Sequence, residues 1–289
     1  MSGREHVSVL FQEVLDNLIS TESGIFVDAT VGAAGHALGL LSRNRKLHLI
    51  GIDRDQEALE RAHKALEAYS DRITLLRGNF GDMEGLLHSA GVKSIDGALF
   101  DLGISSYQLE SGRGFSFNDD EELDMRMDRK QDLTAYDIVN SYRQDEIARI
   151  LYEYGEEWQS RKIAKAIFES RKKVRIRTGL ELAGIIASVK KRTGKIHPAT
   201  KAFQALRIAV NDELLSLVKG LDGAIDLLSP GSRIGVITFH SLEDRIVKER
   251  FRNDEVLTVV TRKPVKPGFD ETRANPRSRS AKLRIAQKK

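Results

Sequence analysis

A glycine-containing loop lies between two short apolar runs near the start of the chain, and each run ends in an aspartate. Residues 24–36 read Gly-Ile-Phe-Val-Asp-Ala-Thr-Val-Gly-Ala-Ala-Gly-His, and the second run, Leu49–Ile52, leads into Asp53. In open α/β sheets a ligand binds beyond the carboxyl ends of the strands, and an acid about 20 residues past the glycines bonds a ribose hydroxyl. The pattern therefore predicts a site for a nucleoside-bearing cofactor. The alternative is a tight turn that needs glycine for steric reasons alone.

The glycine spacing bears on which cofactor binds. A dinucleotide site uses three glycines, in GxGxxG, so that the backbone can approach a pyrophosphate. Here only Gly32 and Gly35 are present, with two alanines between them, and Asp28 would repel a phosphate. S-adenosyl-L-methionine (SAM) has no phosphate, but its amino group and its sulfonium attract a carboxylate. The loop therefore favours SAM over a nicotinamide dinucleotide.

The absence of cysteine excludes several function classes. With no cysteine in 289 residues, the chain has no disulfide, no Cys-ligated zinc and no Cys-bound iron–sulfur cluster. It also lacks the thiol nucleophile through which carbon 5 of a pyrimidine is usually methylated, so a nitrogen acceptor is favoured if the substrate is a base. No apolar run approaches the ~20 residues of a membrane span, and no signal-peptide pattern is present, so we expect a cytoplasmic protein.

The charges are distributed unevenly along the chain. Glu157–Lys201 contains 13 Lys and Arg against 3 Asp and Glu, and Arg245–Lys289 contains 14 against 5, whereas Glu110–Glu156 contains 13 acids against 6 bases. Two basic blocks predict a surface for a polyanion such as RNA, with solvated helix faces as the alternative. Aromatic residues make up only 6% of the chain, so no stacking platform for a single strand is obvious.

Five apolar runs of strand length predict a parallel sheet. They end at Asp28, Asp53, Leu76, Phe100 and Phe239. About 130 residues separate the fourth run from the fifth, far more than an ordinary βαβ crossover needs.

Helical periodicity fills this gap, over residues 158–173, 180–191 and 198–221. We therefore predict an α/β fold with a Rossmann-like SAM-dependent methyltransferase sheet. Residues 1–106 and 206–289 would form the sheet domain, and residues 107–205 a mostly helical domain inserted into it. The helix over 198–221 would return the chain to the sheet. The tail from about Lys263 is expected to be extended and to dock only in part.

Asp101 is the candidate catalytic residue, because it follows the fourth strand, where this architecture places the reacting atom of the substrate. The exocyclic amine of a base is a poor nucleophile, since its lone pair is delocalised into the ring. A carboxylate that accepts a hydrogen bond from the amine would rehybridise the nitrogen and then help to remove a proton. Ser105 and Ser106 are secondary acceptors in this interpretation. The alternative is that Asp101 caps the following turn.

Two further segments have less specific patterns. His240 follows the fifth strand and could contact substrate or phosphate, although a lone histidine at a strand end more often packs or caps a helix. The acidic run over residues 118–128 does not have EF-hand spacing and lacks the EF-hand glycine, so we predict a solvated loop and no metal site. Asp124 and Arg126 in this run could latch the insertion over the cofactor.

Ten segments that occur in order over nearly the whole chain are similar to those of one known family. They are His6–Leu10, Asp28–His36, Asp101–Leu109, Arg113–Phe117, Leu123–Asp128, Tyr154–Glu157, His197–Thr200, Phe203–Leu214, Phe239–Lys248 and Asn275–Arg284. In this combination the chain resembles the bacterial cytosine N(4)-methyltransferases of 16S ribosomal RNA, the RsmH/MraW family. The resemblance implies a SAM-dependent enzyme that methylates a cytidine in the decoding region of the small ribosomal subunit, with an inserted helical domain for RNA recognition.

The resemblance also implies a set of cofactor contacts. These are Ala34, Gly35, His36, Asp53, Phe80, Asp101 and Gln108. The chain departs from the family pattern at Ser8, where proline is usual, at Trp158, where arginine is common, and in the alanines of the loop. Tyr107, at a variable position, leaves open whether an aromatic ring packs on the target base.

Three alternatives remain at this stage. They are a nicotinamide oxidoreductase, a non-catalytic ribosome-assembly factor, and a methyltransferase that acts on a ribose 2′-oxygen. The oligomeric state is also open, with a homodimer as one alternative.

Overall fold

The computed structural model describes residues 8–21, 23–109, 111–118, 120–192 and 196–289. The chain forms two compact units. We call Met1–Gly103 together with Leu214–Lys289 the sheet unit, and Ile104–Glu213 the helical unit. The sequence placed the inserted domain at residues 107–205. His6 and Val7, which contribute to the family resemblance, lie outside the described residues.

The sheet unit contains a seven-stranded sheet with the order β3-β2-β1-β4-β5-β7-β6. The strands are β1 (Ser23–Asp28), β2 (Lys46–Asp53), β3 (Ile73–Arg77), β4 (Ile95–Asp101), β5 (Leu228–Thr238), β6 (Leu257–Val259) and β7 (Lys282–Lys288). Strands β1 to β5 are parallel to one another, whereas β7 is antiparallel to both β5 and β6. The predicted α/β, Rossmann-like sheet is confirmed.

Helices occur in both units. They are α1 (Phe11–Asn17), α2 (Gly35–Arg43), α3 (Gln56–Ala65), α4 (Met83–Ser89), α5 (Ser106–Leu109), α6 (Ala135–Ser141), α7 (Gln144–Glu153), α8 (Ser160–Lys173), α9 (Gly179–Val189), α10 (Thr200–Asn211), α11 (Glu213–Leu227), α12 (Ser241–Asn253) and α13 (Phe269–Ala274). Among the described residues, none of these helices has the length and apolarity needed to cross a membrane.

Both faces of the sheet are covered, because successive strand residues point to opposite sides. Val27, Ile50 and Phe100 pack in one core with residues of α4, α11 and α12. The adjacent Phe26 and Leu49 pack in a second core with residues of α1, α2 and α3. This double burial explains why the parallel strands are continuous apolar runs rather than alternating ones.

The helical unit has a core of its own, and Asn140 ties two of its segments together. The Nδ2 of this buried side chain donates to the carbonyl of Ile176 at 2.8 Å and to that of Tyr136 at 3.0 Å, and its Oδ1 accepts from the N–H of Ile176 at 3.0 Å. The short amide thus replaces the strand or helix partners that the backbone of Ile176 lacks.

The prediction of one helix over residues 198–221 is wrong, because the structure has two. Helix α10 ends at Asn211 and α11 begins at Glu213, with Asp212 between them in the left-handed conformation at φ 50° and ψ 42°. The apolar period of three and four runs through the break, which hides it from periodicity. Aspartate is one of the few residues that adopt this conformation readily.

Most residues of the tail between Lys263 and Ser280 are exposed, in line with the predicted partial docking. The tail is not extended throughout, because it contains α13, and it ends in a strand that the sequence did not predict. Strand β7 pairs with β5 on one side and with β6 on the other. Leu283 and Ile285 are fully buried in the core shared with α1, α2 and α3. The charged residues that alternate with them concealed this strand in the sequence.

We expect Asn140→Ala to lower the free energy of unfolding by about 2–4 kcal/mol, because it leaves both backbone polar groups of Ile176 buried without partners. Urea-induced unfolding monitored by circular dichroism measures this. The control is Asn118→Ala at an exposed position of the same unit, which should change stability by about 0.5 kcal/mol or less. Equal effects of the two substitutions would contradict the role assigned to Asn140.

Candidate cofactor site and active site

The loop after β1 is fixed by hydrogen bonds to the two neighbouring strands. The N–H of Ala29 donates to the carbonyl of Leu99 in β4 at 2.8 Å, and the N–H of Val31 donates to that of Ile52 in β2 at 3.0 Å. The loop therefore starts from a rigid position at the carboxyl ends of the parallel strands, where ligands bind in this architecture.

Two residues of the loop have a positive φ. Gly32 has φ 52° and Ala34 has φ 65°, a conformation that costs a residue with a Cβ about 1–2 kcal/mol. Helix α2 starts directly after Ala34 and has no side-chain cap. Its first N–H groups are therefore in the position at which helices bind anions such as a carboxylate.

Gly35 allows the close approach of another segment. A Cβ built on Gly35 would lie 2.1 Å from the Oγ of Ser8, so a side chain at this position would displace Ser8. Ser8 is one of the positions at which the chain departs from the family pattern, and the structure places it against the loop that the pattern assigns to the cofactor.

Asp53 connects the end of β2 to the glycine loop. Its Oδ2 accepts a hydrogen bond from the N–H of Gly32 at 3.0 Å, and its Oδ1 accepts one from the N–H of Asp55 at 2.9 Å. Burial raises the pKa of Asp53 to about 6 despite these two bonds. The acid predicted to hold a ribose thus also fixes the loop that would hold the rest of the ligand.

Asp101, at the end of β4, lies beside His36 in the first turn of α2. The Nδ1 of His36 is 3.5 Å from the Oδ2 of Asp101. The Nε2 of His36 is 3.0 Å from the carbonyl of Val9, and because a carbonyl only accepts, Nε2 carries a hydrogen. In the neutral ring Nδ1 is then the nitrogen without a hydrogen.

The second oxygen of Asp101 has no partner. Its Oδ1 is buried and makes no hydrogen bond to any described residue. The backbone N–H of Asp101 donates to the Oγ1 of Thr30 at 2.7 Å, which holds the end of β4 against the loop after β1. A buried acceptor without a donor is costly, and it indicates that a ligand supplies the missing hydrogen bond.

Three carboxyl groups therefore meet at the ends of β1, β2 and β4. Burial raises the pKa of Asp28 to about 7, with a smaller contribution from the charge of Asp53. Burial also raises the pKa of Asp101 well above its usual range, and the charges of Asp28 and Glu243 raise it further. No Lys or Arg of the described residues lies within ion-pair distance of Asp28, Asp53 or Asp101. Such a site fits a cationic ligand, and the sulfonium and amino groups of SAM are cations.

Phe80 follows β3 in a short 3₁₀ turn, Phe80–Asp82. Its ring packs edge-on against Phe100 with 5.6 Å between centroids, and a Cβ on Gly220 would lie 2.8 Å from it. Asn79 fixes the turn, since its Oδ1 accepts from the N–H of Gly81 at 2.9 Å and from Arg54 at 3.0 Å. The ring is partly buried, so part of it is open to a planar ligand.

Gln108 belongs to the helical unit, and its hydrogen bonds there are local. Its Oε1 accepts from the N–H of Ser105 at 3.0 Å, and its own N–H donates to the Oγ of Ser105 at 3.2 Å. The structure thus brings Ala34, Gly35, His36, Asp53 and Asp101 together in the sheet unit. The cofactor contact of Gln108 stays a prediction.

Comparison with known sequences identifies the family. The profile of the MraW methylase family matches residues 3–289. The chain belongs to the MraW methylase family.

Relatives of this MraW-family chain cover it almost completely. Ribosomal RNA small subunit methyltransferase H of Persephonella marina is 49% identical over an alignment of 290 positions, which covers 98% of this chain and 99% of the relative. The protein of the same name from Synechococcus elongatus is 48% identical, and the alignment covers 99% of this chain and 96% of the relative. The one from Brevibacillus brevis is 45% identical, and the alignment covers 98% of both chains.

The sequence analysis of this MraW-family chain missed the importance of Glu243. This buried acid closes a capping box at the start of α12, where its Oε2 accepts from the N–H of Phe239 at 2.8 Å and from that of His240 at 3.2 Å. His240 is the N-cap residue of the same helix, so the geometry supports the capping interpretation of this histidine. The spacing of a capping box was visible in the sequence, but the effect of Glu243 on Asp101 depends on the fold.

Several cations of the basic blocks are used inside the protein. Arg171 donates to the carbonyls of Val139 and Tyr142 at 2.8 and 2.5 Å, and Arg175 donates to that of Asn140 at 2.6 Å, at the end of α6. These guanidiniums stabilise a helix C-terminus. Only part of the formal charge is therefore available to a polyanion.

In the acidic run, Asp124 and Arg126 pair with each other through two bonds of 2.7 and 2.9 Å. The latch that the sequence suggested for these residues stays a prediction.

Asp28 generates a prediction about pH. Because its pKa is about 7 in the folded protein and about 3.9 in an unfolded chain, the folded state keeps the proton while the unfolded state loses it. The stabilisation that this proton provides is complete below about pH 4 and is lost as the pH rises to 7. The free energy of unfolding of the wild type should therefore decrease between pH 4 and pH 8. In Asp28→Asn we expect this decrease to be smaller by about 2–4 kcal/mol.

Urea unfolding of the wild type and of Asp28→Asn across this pH range measures the difference. The exposed Asp270→Asn serves as control and should leave the pH profile unchanged. Parallel profiles for Asp28→Asn and the wild type would show that the carboxyl of Asp28 titrates normally.

Proposed function

We propose that this chain is a SAM-dependent methyltransferase that methylates the exocyclic N(4) amine of a cytidine in the decoding region of 16S ribosomal RNA. The observation that carries the proposal is the group of three carboxyls at the strand ends, which have no Lys or Arg partner among the described residues, together with the Oδ1 of Asp101, which accepts no hydrogen bond from them. Membership of the MraW methylase family supports the methyl-transfer chemistry. The relatives named ribosomal RNA small subunit methyltransferase H support the RNA substrate.

The residues of the site match the parts of SAM. Asp53 would accept hydrogen bonds from the ribose, and Phe80 would pack on the adenine. The start of α2 at Ala34, Gly35 and His36 would hold the methionine carboxylate, because helix N-termini bind anions. When bound, SAM supplies a methyl group on a positively charged sulfur. The negative charge at the strand ends would favour binding of this cation.

Asp101 would activate the amine of the target cytidine. Its unpartnered Oδ1 is available to accept a hydrogen bond from the amine, which rehybridises the nitrogen and frees its lone pair. Transfer of the methyl group would break its bond to the sulfur as the bond to nitrogen forms, and Asp101 would accept the proton that the amine then loses. Burial raises the pKa of Asp101 well above its usual range, so the carboxylate is a stronger base than an ordinary one once it is ionised. The positive charge of the bound cofactor would favour that ionised form. His36 lies 3.5 Å from the other oxygen of Asp101.

The RNA would bind through the basic blocks. We propose that residues 161–177 and 245–284 bind the phosphate backbone of the RNA. The side chains that would do so are those that do not cap a helix or pair with an acid. The target cytidine would be unstacked before reaction, as enzymes that act on base atoms generally require. The small ribosomal subunit is the proposed partner.

The deciding experiment is methyl transfer from labelled SAM into small ribosomal subunits that lack the modification, followed by nucleoside mass spectrometry. N(4)-methylcytidine is the expected product. A 2′-O-methylated nucleoside would move the acceptor to the ribose. If SAM binds but no label is transferred, the assembly-factor alternative gains support. A rise in melting temperature with NAD instead of SAM would favour an oxidoreductase.

We expect Asp101→Ala to reduce kcat by about 100-fold or more at saturating SAM, because a general base typically contributes 10²–10⁴-fold. Asp101→Asn, which preserves the shape of the side chain, should be impaired to a similar degree. Single-turnover methylation of subunits measures the chemical step directly. Unchanged turnover in either variant would refute the activating role of Asp101.

We expect Asp53→Ala to raise the SAM concentration needed for half-maximal activity by about tenfold or more, through the lost bonds to a charged acceptor. Its kcat at saturating SAM should stay near that of the wild type. Isothermal titration with SAM and steady-state kinetics measure the two quantities. Glu60→Ala, at an exposed acid of α3, is the control. A fall in kcat without a change in SAM affinity would reverse the roles proposed for Asp53 and Asp101.

A further inference from the structure

The most exposed large hydrophobic residue of the described chain is its only tryptophan. Trp158 is 82% exposed, and it forms an edge-to-face pair with Tyr152, which is 52% exposed. The ring centroids are 5.9 Å apart at an interplanar angle of 80°. We call these two residues the aromatic pair. Large aromatic side chains are rarely left in water without a binding role.

The backbone holds Trp158 away from the core of the helical unit. The neighbouring Glu157 is buried, and its carboxylate pairs with Lys190 at 2.5 Å. The N–H of Glu157 donates to the carbonyl of Leu151 at 3.2 Å, and the other carboxylate oxygen accepts from the N–H of Gln159 at 3.0 Å. Because the residues on both sides of Trp158 are tied inward, its indole is presented to solvent in a preorganised position.

The preceding residues restrict the turn further. Glu156 has a left-handed φ of 47°, and its carbonyl accepts from Lys201 at 2.8 Å. The carbonyl of Tyr154 accepts from Gln204 at 3.0 Å. Two side chains of α10 thus fix the approach to Trp158, so the exposed ring does not depend on a loosely packed loop.

Exposed cations flank the aromatic pair in the chain. Arg149 lies one turn before Tyr152 on α7, and exposed basic side chains occupy the first two turns of α8 directly after Trp158. These are Arg161, Lys162 and Lys165. None of the four makes a hydrogen bond or ion pair with a described residue. The exposed acid of the same stretch is Glu153, and Glu156 is half-buried, so positive charge is in excess.

We propose that the aromatic pair is a stacking platform for an unpaired base of the RNA substrate, with the adjoining phosphates on the four flanking cations. This inference rests on the proposed RNA methyltransferase function and adds a contact site remote in sequence from the cofactor loop. Base stacking on aromatic rings combined with Arg and Lys is the usual means of holding single-stranded RNA. A protein partner is less well matched, because protein interfaces are depleted in lysine.

The single tryptophan makes a direct test possible, because intrinsic tryptophan fluorescence reports on Trp158 alone. The full-length protein would be titrated with an octamer of uridylate and, separately, with inorganic polyphosphate of the same charge. Stacking predicts that the octamer quenches the fluorescence and that polyphosphate does not. Equal quenching by both polyanions, or binding of the octamer without quenching, would overturn the proposal.

Variants test the energetic contribution of the aromatic pair. We expect Trp158→Ala to weaken binding of a fluorescently labelled octamer about tenfold, because one stacked base contributes at this scale, and Tyr152→Ala to weaken it less. Trp158→Phe should stay within about threefold of the wild type, since it keeps an aromatic face. Leu180→Ala, at an exposed apolar position of α9, is the matched control and should not change the affinity. An affinity of Trp158→Ala equal to that of the wild type would refute the proposal.

Fluorescence also distinguishes RNA from a second copy of the chain as the partner of the aromatic pair. A blue shift of the tryptophan emission that grows with protein concentration in the absence of RNA would mean that a second copy of the chain covers Trp158, and would overturn the proposal. The experiments also distinguish a failure of the platform proposal from a failure of the methyltransferase proposal. Methylation of subunits at wild-type efficiency by Trp158→Ala would end the platform proposal only, whereas octamer quenching without any methyl transfer by the wild type would end the methyltransferase proposal only.

Discussion

The parallel arrangement of β1, β2 and β4 buries three carboxyl groups together at the ends of these strands, and the electrostatics of the sheet unit depend on this constraint. Each of Asp28, Asp53 and Asp101 is harder to ionise than a free aspartate, chiefly because of burial. Backbone N–H groups of the loop compensate only part of this cost. A cation that enters the site would therefore favour the ionised forms of these carboxyls, so that binding of a cation and release of protons would be coupled.

The sequence predicted where the strands end and which aspartates end them, because these signals are local. An apolar run that ends in an aspartate marks a buried strand and its carboxyl end, and three such runs define where Asp28, Asp53 and Asp101 must converge. The sequence could not predict the interactions between residues that are far apart in the chain. The contact of Ser8 with Gly35 and the charge of Glu243 near Asp101 join residues far apart in the chain, and neither leaves a periodic pattern.

The count of basic residues overstates the positive charge that is available at the surface for a polyanion. A guanidinium that caps helix carbonyls, as Arg171 does, has the same sequence signature as one that faces solvent. The same holds for Arg284, which is buried against Asp244 at 2.7 Å. Conversely, a low aromatic content concealed the aromatic pair, because stacking depends on the exposure of one or two rings and not on their number.

The position of β7 in the sheet has a consequence for the order in which the sheet can form. Strand β6 precedes β7 in the chain, yet within the described structure it is joined to the rest of the sheet only through β7. During synthesis β5 and β6 therefore emerge with unpaired edges, and this half of the sheet closes only after β7 is available. An open edge is a template for pairing with other chains. A nascent chain stalled between β6 and β7 would therefore be especially vulnerable to aggregation.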